Sequence, residues 1–134
     1  MSAADLKKLV EHVIEDNSAD LWSVSRFLWD NPELALKEVK SHEWLTQFLE
    51  GKGFEVTRKF LLDTAFKAEF PAPGGSDGPT VAFIAEYDAL PEIGHACGHN
   101  LIAENALGAA IAVQEAMKKF RSIRGKVIFL YIAV

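Results

Sequence analysis

Val81-Ala82-Phe83-Ile84-Ala85-Glu86-Tyr87-Asp88-Ala89-Leu90-Pro91-Glu92-Ile93-Gly94-His95-Ala96-Cys97-Gly98-His99-Asn100 is the stretch on which the fold turns. It opens with five consecutive apolar residues, the pattern of a strand buried on both faces. It crosses a loop punctuated by proline and glycine and enters a segment, Leu101 to Phe120, with helical periodicity. There Leu107, Ala110, Ile111 and Met117 fall on one face, and Lys118, Lys119 and Arg121 complement the negative end of the helix dipole. After Gly125, Val127 to Val134 is another buried-strand pattern. Strand, loop, helix, strand is a crossover unit, so the two strands are expected to be parallel and the fold to be α/β. The loop then lies at the carboxyl end of a strand, where open α/β sheets bind ligands.

Upstream, Leu6, Val10, Val13 and Ile14 recur at helical spacing. A break near Asn17-Ser18 separates them from a second helix, about Asp20 to Trp29, with Leu21, Val24, Phe27 and Leu28 inward. Asn31-Pro32 ends it, because the residue before proline is biased away from helical geometry. A third helix is expected over about Val39 to Glu50, with Trp44, Leu45, Phe48 and Leu49 inward and a glycine, Gly51 or Gly53, closing it. Phe54 to Phe60 and Ala65 to Phe70 alternate as strands and are expected to pair. Pro71 to Pro79 reads as a mobile loop. His12 and His42 are expected on solvated helix faces, and Trp22, Trp29 and Trp44 in the core or lining grooves.

The 134 residues suit one domain, and 49% apolar with 25% charged residues is ordinary globular composition. Fourteen basic against nineteen acidic residues leave a net charge of −5 and no basic stripe, which excludes a nucleic-acid footprint. The first residues lack the basic flank and apolar core of a signal peptide. No apolar run reaches the roughly 20 residues of a membrane span. No membrane partner is expected, and a single cysteine, which cannot form an internal disulfide, is compatible with a cytoplasmic protein.

The loop carries the chemistry. Cys97 and His99 flank Gly98, whose freedom lets the backbone turn so that both side chains point at one ion. Thiolate and imidazole suit zinc. His95 reads either as a further ligand or as a hydrogen-bond partner of the site. Asp88 is placed to accept the outer N–H of a ligand histidine, an arrangement that orients the ring. Two ligands do not complete a site: catalytic zinc typically has three protein ligands plus water.

Glu86-Tyr87-Asp88-Ala89-Leu90-Pro91 followed by Gly94-His95-Ala96-Cys97-Gly98-His99-Asn100 closely resembles the zinc aminoacylase/carboxypeptidase family, metallopeptidase family 20, and within it the amidohydrolase branch. Asn100 with Leu101-Ile102-Ala103-Glu104 is similar to that branch's dipeptidase group. Asn31-Pro32-Glu33-Leu34 resembles the family's N-terminal signature, with Glu38 at its glutamate. The resemblance implies an incomplete, N-terminal part of a zinc-peptidase-like three-layer α/β/α catalytic domain over residues 1–134. It implies a two-metal hydrolase, with zinc or manganese, acting on the amide bond of dipeptides or N-acyl amino acids, a basic C-terminal residue among them. Cys97 and His99 match metal ligands and Asp88 the supporting aspartate. Glu86 falls where other branches carry a ligand histidine. In the family, a later glutamate activates a metal-bound water, and the strand here ending in Tyr131-Ile132-Ala133-Val134 leads into Gly-Thr-Pro-Ala-Glu-Glu. The expectation is therefore a truncated product, without the general base, the later ligands, the inserted dimerisation domain or the C-terminal half, and inactive alone.

Two other functions compete. A non-catalytic module would associate, with its own copies or a relative, through an exposed strand edge at 126–134. A thiol enzyme would use Cys97 as nucleophile with His95 or His99 as base; an ordinary thiol is mostly protonated at neutral pH, which argues against it.

Overall fold

Glu55–Arg58 (β1), Phe66–Pro71 (β2), Thr80–Ala85 (β3) and Lys126–Tyr131 (β4) form one sheet in the order β1-β2-β4-β3. The computed structural model describes residues 1–132; Ala133 and Val134, the end of the strand expected from Val127, lie outside the described residues. β3 and β4 are parallel, with Val81 opposite Val127 and Ala85 opposite Tyr131, as the crossover reading requires. β1 pairs antiparallel with β2, as expected for neighbours, and β2 antiparallel with β4. β1 stops two residues short of its expected end because the chain turns at Lys59 and Leu61, both at positive φ.

Four helices, Ala3–Asp16 (α1), Ser18–Asp30 (α2), Val39–Gly51 (α3) and His99–Lys119 (α4), complete the fold. A capping box starts α1: Ser2 Oγ accepts the Asp5 N–H at 3.1 Å while the Asp5 carboxylate accepts the Ser2 N–H at 2.9 Å. The start of α3 is held by Glu33, whose carboxylate accepts the N–H groups of Lys40 at 2.9 Å and Ser41 at 2.8 Å. These are helix donors without intrahelical partners, so the carboxylate satisfies them with charge-assisted bonds.

Register places Phe66 and Ala68, Val127, Phe129 and Tyr131, and Ala85 on one face of the sheet, and all are buried. Leu21, Val24 and Leu28 of α2, Leu45 and Leu49 of α3, and Leu107, Ala110 and Ile111 of α4 join them in one core. Phe66 sits at its centre, with ring centroids 5.7 Å from Phe129, 6.1 Å from Tyr87 and 6.3 Å from Tyr131. Burying an aromatic of this size stabilises the fold by roughly 2–3 kcal/mol.

The opposite face bears Ala82, Ile84, Ile128 and Leu130, none of them buried. Of the three layers the resemblance implies, the described residues thus supply the sheet and one helical layer.

Several expectations are corrected. β3 is not buried on both faces: it is an edge strand on a half-covered sheet, with Val81 45% and Ile84 58% exposed. Conversely, the edge expected at 126–134 does not exist over the described residues, because β4 is paired on both sides; the edge strands among the described residues are β1 and β3. The Pro71 to Pro79 loop is tied to the turn before β4. The Arg124 guanidinium donates to the Gly74 carbonyl at 2.8 Å and to Asp77, and the Gly125 N–H donates to the Gly75 carbonyl at 2.8 Å.

His42 is buried rather than solvated, because its turn of α3 faces the β1–β2 connection. Its ring meets Phe66 edge-on and its Nε2 accepts the Lys59 N–H at 3.4 Å. Burial, then the Arg58 charge, lowers its pKa. His12 is exposed beside Asp16, as expected. Trp22 and Trp29 lie outside the core, on a groove beside Asn100 and Leu101, whereas Trp44 stacks half-buried on Phe27 at 4.8 Å. In α1 only Val13 is buried; Val10 and Ile14 line a groove against α4.

Candidate metal centre

β3 ends at Ala85, and the next three residues set the site. Alternation turns Tyr87 into the core, where it is fully buried, and leaves Glu86 and Asp88 to face the start of α4. Two contacts hold this segment. The Ala89 N–H donates to the Glu33 carbonyl at 2.7 Å, and the Tyr87 hydroxyl donates to the Thr64 carbonyl at 2.5 Å. The Asn31-Pro32-Glu33-Leu34 signature therefore docks on the Asp88-Ala89 segment, with Leu34 bridged to Ala89. A groove of about 400 Å³ beside it is lined by Pro32, Leu34, Ala89, Leu90 and Gly94.

The loop then makes one turn of 3-10 helix, His95–Cys97, and reverses at Gly98 into α4. Gly98 has φ +84 with nothing within 4 Å of where a Cβ would stand. Glycine is needed there for its left-handed conformation and not for space. The reversal brings Cys97 and His99 back over the end of β3.

His99 lies between two carboxylates. Its Nδ1 is 3.0 Å from the Asp88 carboxylate and 3.0 Å from the Asp88 carbonyl; its Nε2 is 3.0 Å from Glu86 Oε2. Both Nδ1 neighbours are acceptors, so Nδ1 donates to them; Nε2 faces the Glu86 carboxylate, an acceptor too, and is open to an ion only where the ion takes the place of that contact. The Cys97 thiol lies 3.8 Å from the same Asp88 carbonyl. The three side chains of the His99 clamp are partly buried, at 20% exposure for His99, 30% for Glu86 and 11% for Asp88. They can be reached by a ligand and are sheltered enough for charge to matter.

His95 is set differently. It is 3% exposed, and neither ring nitrogen has a hydrogen-bond partner. Burial, then the neighbouring His99, lowers its pKa, so the ring is held neutral. Of the five residues expected at the site, His99, Asp88 and Glu86 are brought together, Cys97 meets them only at the Asp88 carbonyl, and the His95 ring makes no hydrogen bond to any of them.

The donors fit a borderline-soft ion: a sulfur, an imidazole Nε2 oriented by a carboxylate, and a second carboxylate at Nε2. Among the described residues, however, no group of three His, Cys, Asp or Glu side chains is placed to hold an ion. The arrangement is part of a ligand set.

Asn100 serves packing: its side-chain amide donates to Ser25 Oγ at 3.0 Å, tying α4 to α2. Sequence reasoning missed Glu33, Tyr87 and Tyr131, and placed Glu38 only by resemblance. Glu38 is fully buried, its carboxylate accepting the Tyr131 hydroxyl. The one available signal was the position of Tyr87 between two acids, where strand alternation sends an aromatic inward.

No protein-family model matches the chain. It is 44% identical over 127 residues to the Xaa-Arg dipeptidase of Mus musculus, covering 87% of this chain and 30% of that protein. It is 32% identical over 134 residues to a p-aminobenzoyl-glutamate hydrolase polypeptide of Escherichia coli (strain K12), covering 87% and 27%. Its fold superposes on the YXEP protein of Bacillus subtilis, described as a dinuclear metal binding peptidase from the M20 family, with a TM-score of 0.75 and 25% identity over 90% of this chain and 36% of that one. The chain thus spans about 30% of the length of the curated relatives it matches.

Proposed function

Since the chain belongs to the M20 peptidase family, we propose that its 86–99 loop is part of a metal-dependent hydrolytic site for the amide bond of a dipeptide or N-acyl amino acid. The observation that carries this reading is the His99 clamp, with Nδ1 held by Asp88 and Nε2 turned toward the Glu86 carboxylate, a second candidate ligand. Cys97 and His99 hold the ion, Asp88 orients His99, and Glu86 lies beside the coordinating nitrogen. Zinc suits the sulfur and nitrogen donors better than manganese, which favours oxygen. Bound there, the ion supplies Lewis acidity toward an amide carbonyl. The chain's own groups hold the imidazole from both nitrogens and carry negative charge around it. Likeness to a mammalian dipeptidase named for a C-terminal arginine favours a dipeptide ending in a basic residue over an N-acyl amino acid. A cytoplasmic setting suits a lone cysteine used as a ligand.

The reading assigns Cys97 and His99 only part of a ligand set, so metal binding and hydrolysis by the 134-residue chain are tested separately. The test is metal stoichiometry by plasma mass spectrometry on the purified chain, beside a Cys97→Ala/His99→Ala double variant, with dipeptide hydrolysis assayed in parallel. Metal bound and lost in the double variant supports the site. Equal metal content in both removes it, and turnover by the chain alone overturns the expectation of inactivity.

A second reading is favoured by the β3 edge. Six uncharged residues, Thr80–Ala85, present unpaired backbone with Val81 and Ile84 exposed, a surface that pairs with another strand. On this reading the chain is an interaction module, and the edge lies at β3.

A further inference from the structure

Glu38 is 0% exposed and its second carboxylate oxygen has no partner. A carboxylate in such a place is costly unless bonded, and its one bond is to the Tyr131 hydroxyl. Tyr131 ends β4, and its ring stacks on that of Tyr87 with centroids 3.3 Å apart and planes 17° apart. Tyr87 is in turn pinned at its hydroxyl by the Thr64 carbonyl. Burial raises the pKa of both phenols, Tyr131's further through the Glu38 bond, so both remain neutral donors.

Tyr87 lies between Glu86 and Asp88, the two residues that meet opposite nitrogens of His99. Rotation of the 86–88 backbone would draw Tyr87 out of its stack, and the Glu38–Tyr131 bond, beside the Thr64 carbonyl and the Phe66 ring, is one of the contacts that hold the stack. We propose that Glu38 is a positioning residue for the metal centre, acting through Tyr131 and Tyr87 to hold the Asp88–His99 pair in its coordinating geometry. It touches neither ligand. The inference rests on the metal-site reading above, but its geometry exists without the ion.

The test compares the wild-type chain with Tyr131→Phe, Glu38→Gln and Glu38→Ala. One readout is the downfield proton resonance of His99 Nδ1–H in the metal-free chain, identified by its loss in His99→Gln. The other is Co²⁺ affinity, followed by thiolate-to-cobalt absorption. Tyr131→Phe and Glu38→Ala are expected to broaden or abolish the resonance and weaken Co²⁺ about tenfold, the lower end for groups that orient metal ligands. Glu38→Gln keeps an acceptor for Tyr131 and is expected to restore both signals. A lowered melting temperature with resonance and Co²⁺ affinity unchanged would make Glu38 merely structural and overturn the proposal. If Glu38→Ala does not fold, Tyr131→Phe, which deletes one oxygen, decides. A wild-type chain that binds no Co²⁺ removes the metal reading, while the resonance still decides the positioning role. Absence of the resonance in the wild-type chain removes the clamp and this inference with it.

Discussion

Nδ1 of His99 lies 3.0 Å from Oδ1 of Asp88, close enough to set the tilt of the ring. Asp88→Asn exchanges a charged acceptor for a neutral one without changing size. Groups that orient a metal-binding histidine typically contribute 10–100-fold in affinity. Competition with a chromogenic chelator is therefore expected to show zinc bound roughly tenfold more weakly to Asp88→Asn. Unchanged affinity would mean that the Asp88 carbonyl alone, also 3.0 Å away, orients the ring.

Two glycines separate conformational strain from steric clash. Gly98→Ala meets nothing within 4 Å, so its cost is that of a left-handed L-residue, about 1–2 kcal/mol. Gly125→Ala would place its Cβ 2.1 Å from the Pro79 carbonyl oxygen at φ +115, and neither group is a flexible side-chain end. Urea unfolding is expected to rank Gly125→Ala as the more damaging, beyond about 2 kcal/mol. Equal losses would show that the 78–79 backbone yields.

The buried His42 makes stability depend on acid. Its folded pKa is lowered from 6.5, so as pH falls the unfolded chain takes the proton first. Stability is complete above the unfolded value and declines as pH drops through it toward the folded one. Arg58, Glu43 and Lys59 are the charged groups around the ring, and the nearer balance is positive. His42→Gln retains an acceptor for the Lys59 N–H and does not titrate. Its urea midpoint is expected to fall less than the wild type's between pH 7.5 and pH 5. His95, whose pKa is lowered too, is present in both chains, so the difference belongs to position 42; parallel curves would count against the assignment.

The β3 edge predicts self-association. Ile84→Lys places a charge on the exposed side of an edge strand, where 58% exposure makes the effect on stability small, within about 0.5 kcal/mol. Light scattering is expected to show less association for Ile84→Lys than for the wild type at equal concentration. Association that is unaffected points away from β3.

Much of this was legible along the chain. Leu107, Ala110 and Ile111 pointed inward as their spacing required, and the β3–α4–β4 crossover brought its strands parallel. Cys97 and His99 stood out as candidate ligands because a lone cysteine and a histidine around glycine form a local pattern. Glu38 carried no such signal: an acid at a helix start reads as a solvated charge until Tyr131, 93 residues later, arrives above it. His42 failed for the same reason, since its neighbour Phe66 lies across a connection whose packing no periodicity records.

The amino-acid sequence by itself determined the α/β class, the strands, the helices and the loop that carries the thiol and imidazole. These depend on alternation, helical spacing and glycine, all read within a few residues. Only the tertiary structure decided that β4 runs inside the sheet and β3 at its edge, and that Glu86 and Asp88 take opposite nitrogens of His99. Only it decided that Glu38 is buried against Tyr131. Those outcomes depend on which distant segments pair and on where buried polar groups find partners, and that choice is made by packing across the whole chain.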